Sequence, residues 1–311
     1  MKILLLGANG QVGFELQRVL APLGELLVAT RDGKLAGGSH CLRGDLGDAE
    51  SLAALLGSVQ CDIVVNAAAY TAVDRAEDEP VFAERINGHA LAQIGNWARS
   101  NNAMVVHYST DYVFDGQGRR PYREDDATAP LGVYGRSKLA GENALRDSGC
   151  AHLILRTAWV YGARGGNFLR TILRLAAERN RLTVVDDQFG APTSSRLIAA
   201  ATAVVLKRWI DADLTQRSAY NGTYHLAAAG QTSWCAFARA IVDGAVRSQL
   251  IARAPEVVAI RSAEFKTKAQ RPAYSVLDTG RLRENFKIHL PDWTQGLDAT
   301  IAELADLRFS T

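Results

Sequence analysis

Lys2-Ile3-Leu4-Leu5-Leu6-Gly7-Ala8-Asn9-Gly10-Gln11-Val12-Gly13 is the stretch on which the fold turns. The apolar run reads as a strand buried on both faces. The glycines carry it into an amphipathic segment, 11–20, that reads as a helix. Glycine here permits a tight turn, close approach of the backbone to a pyrophosphate, and close helix–strand packing. The helix start then offers free N–H groups and the positive end of its dipole. The spacing is GxxGxxG, weak alone but strengthened by its place between strand and helix. Gly7, Asn9, Gly10, Gln11, Val12 and Gly13 are therefore the expected dinucleotide loop.

The same alternation continues outward. Strands are expected at 25–29, 62–66, 103–109 and 152–156, with Gly44-Asp45-Leu46 closing another. Helices are expected at 48–57 with Asp48 as N-cap, over one long segment ending near Ser100, and at 135–146. Continuous Val/Ile/Leu strands alternating with helices predict an α/β fold, a Rossmann-type doubly wound parallel sheet. Beyond residue 160 the pattern loosens: helices at 167–179 and 194–208, strands at 183–185 and 223–227. A terminal helix, 292–307, is expected to start in a capping box of Asp292 and Gln295. The expected organisation is a dinucleotide-binding domain over 1–160 with a return segment of about 194–227. A smaller mixed α/β substrate domain takes 161–193 and 228–311.

The 311 residues are 48% hydrophobic and 22% charged, ordinary globular values that exclude disordered and coiled-coil classes. A net charge of +2 excludes a protein built to coat nucleic acid or an anionic membrane surface. No apolar run approaches the about 18 residues of a membrane span. The run 197–206 ends at Lys207-Arg208, and the N-terminal run is too short for a signal peptide. Cys41, Cys61, Cys150 and Cys235 are widely spaced without CxxC, which predicts reduced thiols and a cytoplasmic setting.

An acid at the end of the second strand would bond a ribose 2′-hydroxyl and favour NAD. This chain has Thr30 and Arg31 there. A guanidinium can pair with a 2′-phosphate and stack on adenine, so the reading favours NADPH and leaves NADH open. Asp32 in the ribose role is the alternative. Asp45 can accept from the adenine amino group with Leu46 against the ring, or serve as a turn residue. Ala67, Ala68 and Ala69 follow the fourth strand and are small enough to admit a cofactor.

Thr110, Tyr134 and Lys138 form the expected catalytic set. Tyr134 and Lys138 are spaced i,i+4 on one helix face. Thr110 lies past the carboxyl end of a central strand, where open α/β sheets place ligands. Hydride delivery to a carbonyl leaves an alkoxide that needs a proton. A phenol can give it, with a nearby ammonium expected to lower the phenol's pKa and a hydroxyl steadying the carbonyl oxygen.

Several longer motifs carry a resemblance that covers nearly the whole chain. They are the 7–13 loop, Asn-Ala-Ala-Ala-Tyr-Thr-Ala-Val-Asp at 66–74, His-Tyr-Ser-Thr-Asp-Tyr-Val-Phe at 107–114, and Tyr-Gly-Arg-Ser-Lys at 134–138. Arg-Thr-Ala-Trp-Val-Tyr at 156–161, Asp-Gln-Phe-Gly-Ala-Pro-Thr at 187–193, and Arg271-Pro272 with Ser275 complete them. In these the chain resembles the extended short-chain dehydrogenase/reductase superfamily. Asp111, Tyr112 and Val113 set it apart from the sugar-nucleotide epimerases and dehydratases of that group. The resemblance implies NADPH-dependent reduction of the 4-keto group of dTDP-4-dehydro-β-L-rhamnose to dTDP-β-L-rhamnose, for glycan synthesis such as lipopolysaccharide. It implies Tyr134 as proton donor, Lys138 as its partner and ribose ligand, and Thr110 at the carbonyl oxygen. It also implies Asp111, Tyr112 and Trp159 around the sugar, Arg271 toward the diphosphate, and Asn87 as a structural brace. The C-terminal half is locally basic, with Arg253, Arg261, Lys266, Lys268, Arg271, Arg281, Arg283 and Lys287, which suits such a substrate. Some relatives are associated with a divalent cation, but no ligand cluster stands out and no catalytic metal is expected. A reductase of another NDP-4-keto-6-deoxysugar, and a dinucleotide-binding regulatory subunit like that of methionine adenosyltransferase, are the alternatives. Oligomeric state, including a homodimer, stays open.

Overall fold

Alternate residues of a strand face opposite ways, and here both faces of the central sheet are covered. The computed structural model describes residues 1–309, so the last two residues of the expected 228–311 segment lie outside the described residues. The first half runs β1 (Lys2–Leu6), α1 (Gln11–Leu20), β2 (Glu25–Thr30), β3 (Leu42–Arg43), α2 (Ala49–Ser58), β4 (Ile63–Asn66), α3 (Val73–Ala76), α4 (Pro80–Glu84), α5 (Ala90–Ser100), β5 (Met104–Thr110), α6 (Val133–Ser148) and β6 (Ala151–Thr157). There follow β7 (Val160–Tyr161), α7 (Phe168–Glu178), β8 (Arg181–Val185), β9 (Phe189–Gly190), β10 (Thr193–Ser194), α8 (Ser195–Asp211), α9 (Leu214–Tyr220) and β11 (Gly222–His225). The chain ends with β12 (Thr232–Ser233), α10 (Trp234–Arg247), β13 (Glu256–Ile260), α11 (Gly280–Phe286) and α12 (Trp293–Phe309).

Seven strands form one sheet in the order β11-β6-β5-β4-β1-β2-β3. Every pairing in it is parallel. Ile3, Leu5, Val65, Val106 and Leu155 face one core, shared with Leu16 of α1 and Ile198 and Val205 of α8. Leu4, Leu6, Val64, Val105 and Ile154 face the other, shared with Leu52 of α2, Ile94 of α5 and Leu145 of α6. This two-sided burial is why the strands read as unbroken apolar runs. The chain reverses direction across the sheet between the neighbours β1 and β4. Ligand clefts open at the carboxyl ends of strands at such a point.

A separate core gathers Leu169 and Ile172 of α7, Leu182 and Val184 of β8, Phe237 and Ile241 of α10, and Leu297 and Ile301 of α12. The parallel pair of β8 and β13 flanks it. Helix α10 had no counterpart in the sequence reading, although Ser233 caps it by accepting the Ala236 N–H.

Four expectations need correction. The long helix ending near Ser100 is broken: Pro80 opens α4, and residues 85–89 form a π-helical turn leading into α5. Proline suits a first turn because its missing N–H would have no intrahelical partner there. Strand β3 ends at Arg43, leaving Gly44-Asp45-Leu46 in the turn. There the Asp45 carboxylate accepts the Gly47 N–H. Helix α6 begins at Val133, placing Tyr134 and Lys138 in its first two turns. At α12, Asp292 accepts the Thr294 N–H and hydroxyl, so the cap forms without the expected carboxylate bond to the Gln295 N–H.

Candidate active site

A cleft of about 710 Å³ runs along the carboxyl ends of the central strands. Gly7, Asn9, Gly10, Gln11 and Val12 line one end, with Thr30, Arg31, Asp45, Leu46 and Ala67 to Ala69 beside them. Thr110, Asp111, Tyr112, Tyr134, Lys138, Trp159 and Arg271 line the other. The structure thus brings together all the singled-out cofactor, catalytic and sugar residues except Gly13. That glycine is buried under the loop, where a Cβ would sit 2.1 Å from the Gly7 carbonyl oxygen, so it serves helix–strand packing. Gly7 needs its hydrogen side chain twice over. Its φ is +78°, and a Cβ would meet Ala68 N at 2.6 Å.

The start of α1 suits an anionic phosphate. Asp48, Asn167, Ser194 and Ser233 each cap their helices by accepting backbone N–H groups. Gly10 offers α1 no such acceptor, and no acid lies in the first turn. The first-turn donors and the positive helix end therefore face the cleft. Asn9 and Gln11 present backbone there, because their side chains tie the loop to Lys34 and Ala36 and to Asn167.

At the end of β2, Thr30 is buried and its hydroxyl is spent on Asp32 Oδ1 and the Lys34 carbonyl, both at 3.1 Å. Asp32 also accepts the Lys34 N–H, and the Thr30 hydroxyl is the main reason its pKa is lowered. Both side chains are turned into their own loop. Arg31 is exposed at the cleft edge and, among the described residues, holds no ion pair.

The chemistry-bearing end is braced from below. Asn87 accepts the Tyr70 N–H at 2.9 Å and donates to the Tyr70 carbonyl and the Ser137 hydroxyl, both at 3.0 Å. It thereby ties the loop after β4 to the helix that carries Tyr134 and Lys138. One turn beyond Lys138, Glu142 is fully buried and held by both arms of Arg156 at 2.9 and 2.7 Å.

Burial pushes the Tyr134 phenol up to about 12, with the Thr110 hydroxyl pulling the other way. The ammonium expected to lower it does not do so here. Burial brings Lys138 itself down to about 7, against the Glu142 charge. Its Nζ donates to the Tyr108 carbonyl at 2.6 Å and lies 3.1 Å from His107 Nε2. Asp111 is raised to about 6 by burial, while the Ser275 and Thr110 hydroxyls pull it down. Its Oδ1 accepts from Thr110 at 3.0 Å, and its Oδ2 is buried without a hydrogen-bond partner among the described residues.

Trp159 adopts φ +47°, rare for a bulky residue. Its indole stacks on Trp234 at 3.5 Å and covers Gly190 so closely that a Cβ there would lie 2.4 Å from the ring. Trp234 lines the cleft as well and was missed by the sequence reading, as was the helix it opens. Its N-cap serine and the apolar residues Ala238, Ile241, Val242 and Ala245 at helical spacing were the local signals. Arg271 pairs with Asp74 at 2.9 Å, while its buried Nε has no hydrogen-bond partner among the described residues. Two of the other basic residues of the C-terminal half are paired with acids of the first half. Lys268 pairs with Asp78, and Arg281 with Glu124 and Asp125. Of the basic residues expected to face a diphosphate, Arg271 is the one that lines the cleft.

Residues 1–306 match the family model described as RmlD substrate binding domain. The chain is 44% identical over 304 residues to the dTDP-4-dehydrorhamnose reductase of Escherichia coli, with 98% of each chain covered. It resembles the solved dTDP-4-dehydrorhamnose reductase of Clostridium acetobutylicum with a TM-score of 0.83 at 33% identity, covering 98% of this chain and 99% of that one. The dTDP-4-dehydrorhamnose reductase of Bacillus anthracis, solved in complex with NADP, gives a TM-score of 0.83 at 32% identity over 97% and 99%.

Proposed function

Because the chain belongs to the RmlD substrate binding domain family, we propose that its cleft carries out the reaction for which its close relatives are named. It is an NADPH-dependent oxidoreductase that reduces the 4-keto group of dTDP-4-dehydro-β-L-rhamnose, giving dTDP-β-L-rhamnose. The observation that carries this reading is the convergence of Thr110, Tyr134 and Lys138 in one cleft with the uncapped start of α1.

NADPH supplies the hydride that adds to C4 of the sugar. The chain's part is the proton. A phenol held at about 12 keeps its proton throughout neutral pH, so Tyr134 is a stocked acid beside the oxygen that becomes an alkoxide. Thr110 has one hydroxyl proton, given to Asp111 while the phenol is neutral. Rotation of that hydroxyl turns the proton to the phenolate as it forms, which stabilises the product side of the transfer. Lys138, near 7, is matched to take up and release a proton at operating pH. Trp159 and Trp234 wall the deoxysugar with apolar surface, and Arg271 meets the diphosphate. Tyr112 closes the site against Tyr134 in an edge-to-face contact at 5.6 Å.

Arg31, which holds no ion pair among the described residues, selects NADPH over NADH by pairing with the 2′-phosphate. Residues 1–160 with 194–227 hold the dinucleotide and the remainder holds the sugar nucleotide. The sheet membership of β11 and the packing of α8 on α1 support that division. None of the described helices is long and apolar enough to cross a membrane. We place the reaction in the cytoplasm, since both reactants are multiply charged and do not cross membranes unaided. The test is a coupled assay that generates dTDP-4-dehydrorhamnose in situ and follows NADPH consumption. Steady consumption with formation of dTDP-rhamnose is expected; no consumption with either cofactor would remove the proposal.

A further inference from the structure

The turn between β7 and α7 reads Gly162-Ala163-Arg164-Gly165-Gly166 and is fitted onto the first turn of α1. Asn167 Nδ2 donates to Gln11 Oε1 and to the Gly162 carbonyl, both at 2.9 Å. Arg170 Nη1 holds the Ala163 carbonyl at 2.6 Å. Gly165, at φ +71°, passes so close to the cofactor loop that a Cβ would lie 2.9 Å from Gln11 Cγ. Gly166 and Gln11 both line the cleft.

Arg164 lies over the Phe14 ring, its guanidinium carbon 4.4 Å from the centroid. It is exposed and, among the described residues, holds no ion pair. The Phe14 N–H bonds the Gly10 carbonyl at 2.8 Å, so this cation stands about one turn from the free donors at the start of α1. No acid offsets the two positive ends. The first turn of α1 has none, and Glu15 is already shared between Arg18 and Arg196. A cation beside the positive end of a helix is disfavoured until an anion joins them. The ring face keeps the guanidinium there meanwhile.

We propose that Arg164 is a binding residue for the cofactor: it meets the dinucleotide's pyrophosphate from the side facing the α1 amides, so the phosphates are held between α1 and the β7–α7 turn. This rests on the reading that the start of α1 takes the pyrophosphate. A guanidinium fork suits the task because it can bridge two phosphate oxygens. Arg31 is assigned the 2′-phosphate, which NADH lacks. Arg164 is assigned the group that NADPH and NADH share, so the two arginines differ in what their loss does.

The test is the Kd for NADPH and for NADH, read by cofactor fluorescence on the full chain as wild type, Arg164→Ala, Arg164→Lys and Arg174→Ala. Arg174 is an exposed arginine of α7 paired with Glu178, and serves as the control for general charge. Arg164→Ala is expected to raise both Kd values by the same factor, about tenfold. Arg164→Lys should recover most of that loss, and Arg174→Ala should move neither value. Unmoved Kd values in a folded Arg164→Ala protein, a loss with NADPH alone, or an equal loss in Arg174→Ala each overturn the proposal. So does a lysine variant as weak as the alanine one, because packing on Phe14 and not charge would then be what was lost. Wild-type protein that binds neither dinucleotide overturns the proposal together with the reading it rests on. Wild-type protein that binds NADPH without reducing the sugar nucleotide unseats the reaction alone, and the Kd ratios still decide Arg164.

Discussion

The hydroxyl of Thr110 donates to Asp111 Oδ1 at 3.0 Å, so the residue proposed to steady the reacting oxygen is itself held by a buried carboxyl group. That carboxyl titrates at about 6 instead of 3.8. The unfolded chain releases this proton first, so the folded state binds more protons between the two values. The contribution of Asp111 is thus most favourable below pH 3.8 and is lost as pH rises through 6. Asp111→Asn should therefore be more stable than wild type at pH 8, by about 1–3 kcal/mol, with little gain near pH 4. Urea unfolding at the two pH values checks this; equal differences at both would count against it.

Removing the phenol oxygen should remove the proton source and leave the cleft intact. Tyr134→Phe is expected to lower kcat by about 100-fold or more, with KM for NADPH little changed. Steady-state kinetics decide it, and near-normal turnover would take Tyr134 out of its role.

Thr110 both feeds Asp111 and receives the Tyr112 N–H at 3.2 Å. Thr110→Val keeps the shape and loses the hydroxyl, so kcat should fall about 10- to 100-fold. Thr110→Ser should retain most of the activity. A serine variant as slow as the valine one would point to the methyl group instead.

Arg31→Ala removes a cation just past β2 that holds no ion pair among the described residues. Its kcat/KM with NADPH should drop roughly tenfold or more while that with NADH stays nearly level. The ratio of the two is the readout. A parallel drop with both cofactors would mean that Arg31 does not read the 2′-phosphate.

Gly190→Ala would put a Cβ 2.4 Å from the Trp159 ring, which cannot retreat because it lies flat on Trp234. The indole must tilt into the cleft. The variant should lose about tenfold or more in kcat/KM for the sugar nucleotide with NADPH binding preserved. Cofactor fluorescence titration beside the kinetics separates the two.

Much of the site was legible because its parts are local. The 7–13 loop, the small run 67–69 and the pair Tyr134 and Lys138 are each defined by spacing along a few residues. Gly13 was misplaced because a glycine that packs and a glycine that touches a ligand leave the same trace. The long helix was misread because Pro80 and the π-turn interrupt a pattern whose polarity continues. Trp234 was missed because the apolar face of α10 belongs to a core assembled from several distant segments.

By itself, then, the sequence determined the parallel sheet and the glycine turn after its first strand, both of which follow from periodicity and short-range sterics. Only the tertiary structure decided the state of the buried groups. Lys138 is brought down to about 7 because the packing of α6 against β5 takes it out of water. His107 in turn meets the Asn66 amide, a further 41 positions back. Burial and hydrogen-bond geometry fix protonation, and both are properties of elements brought together, which no local pattern encodes.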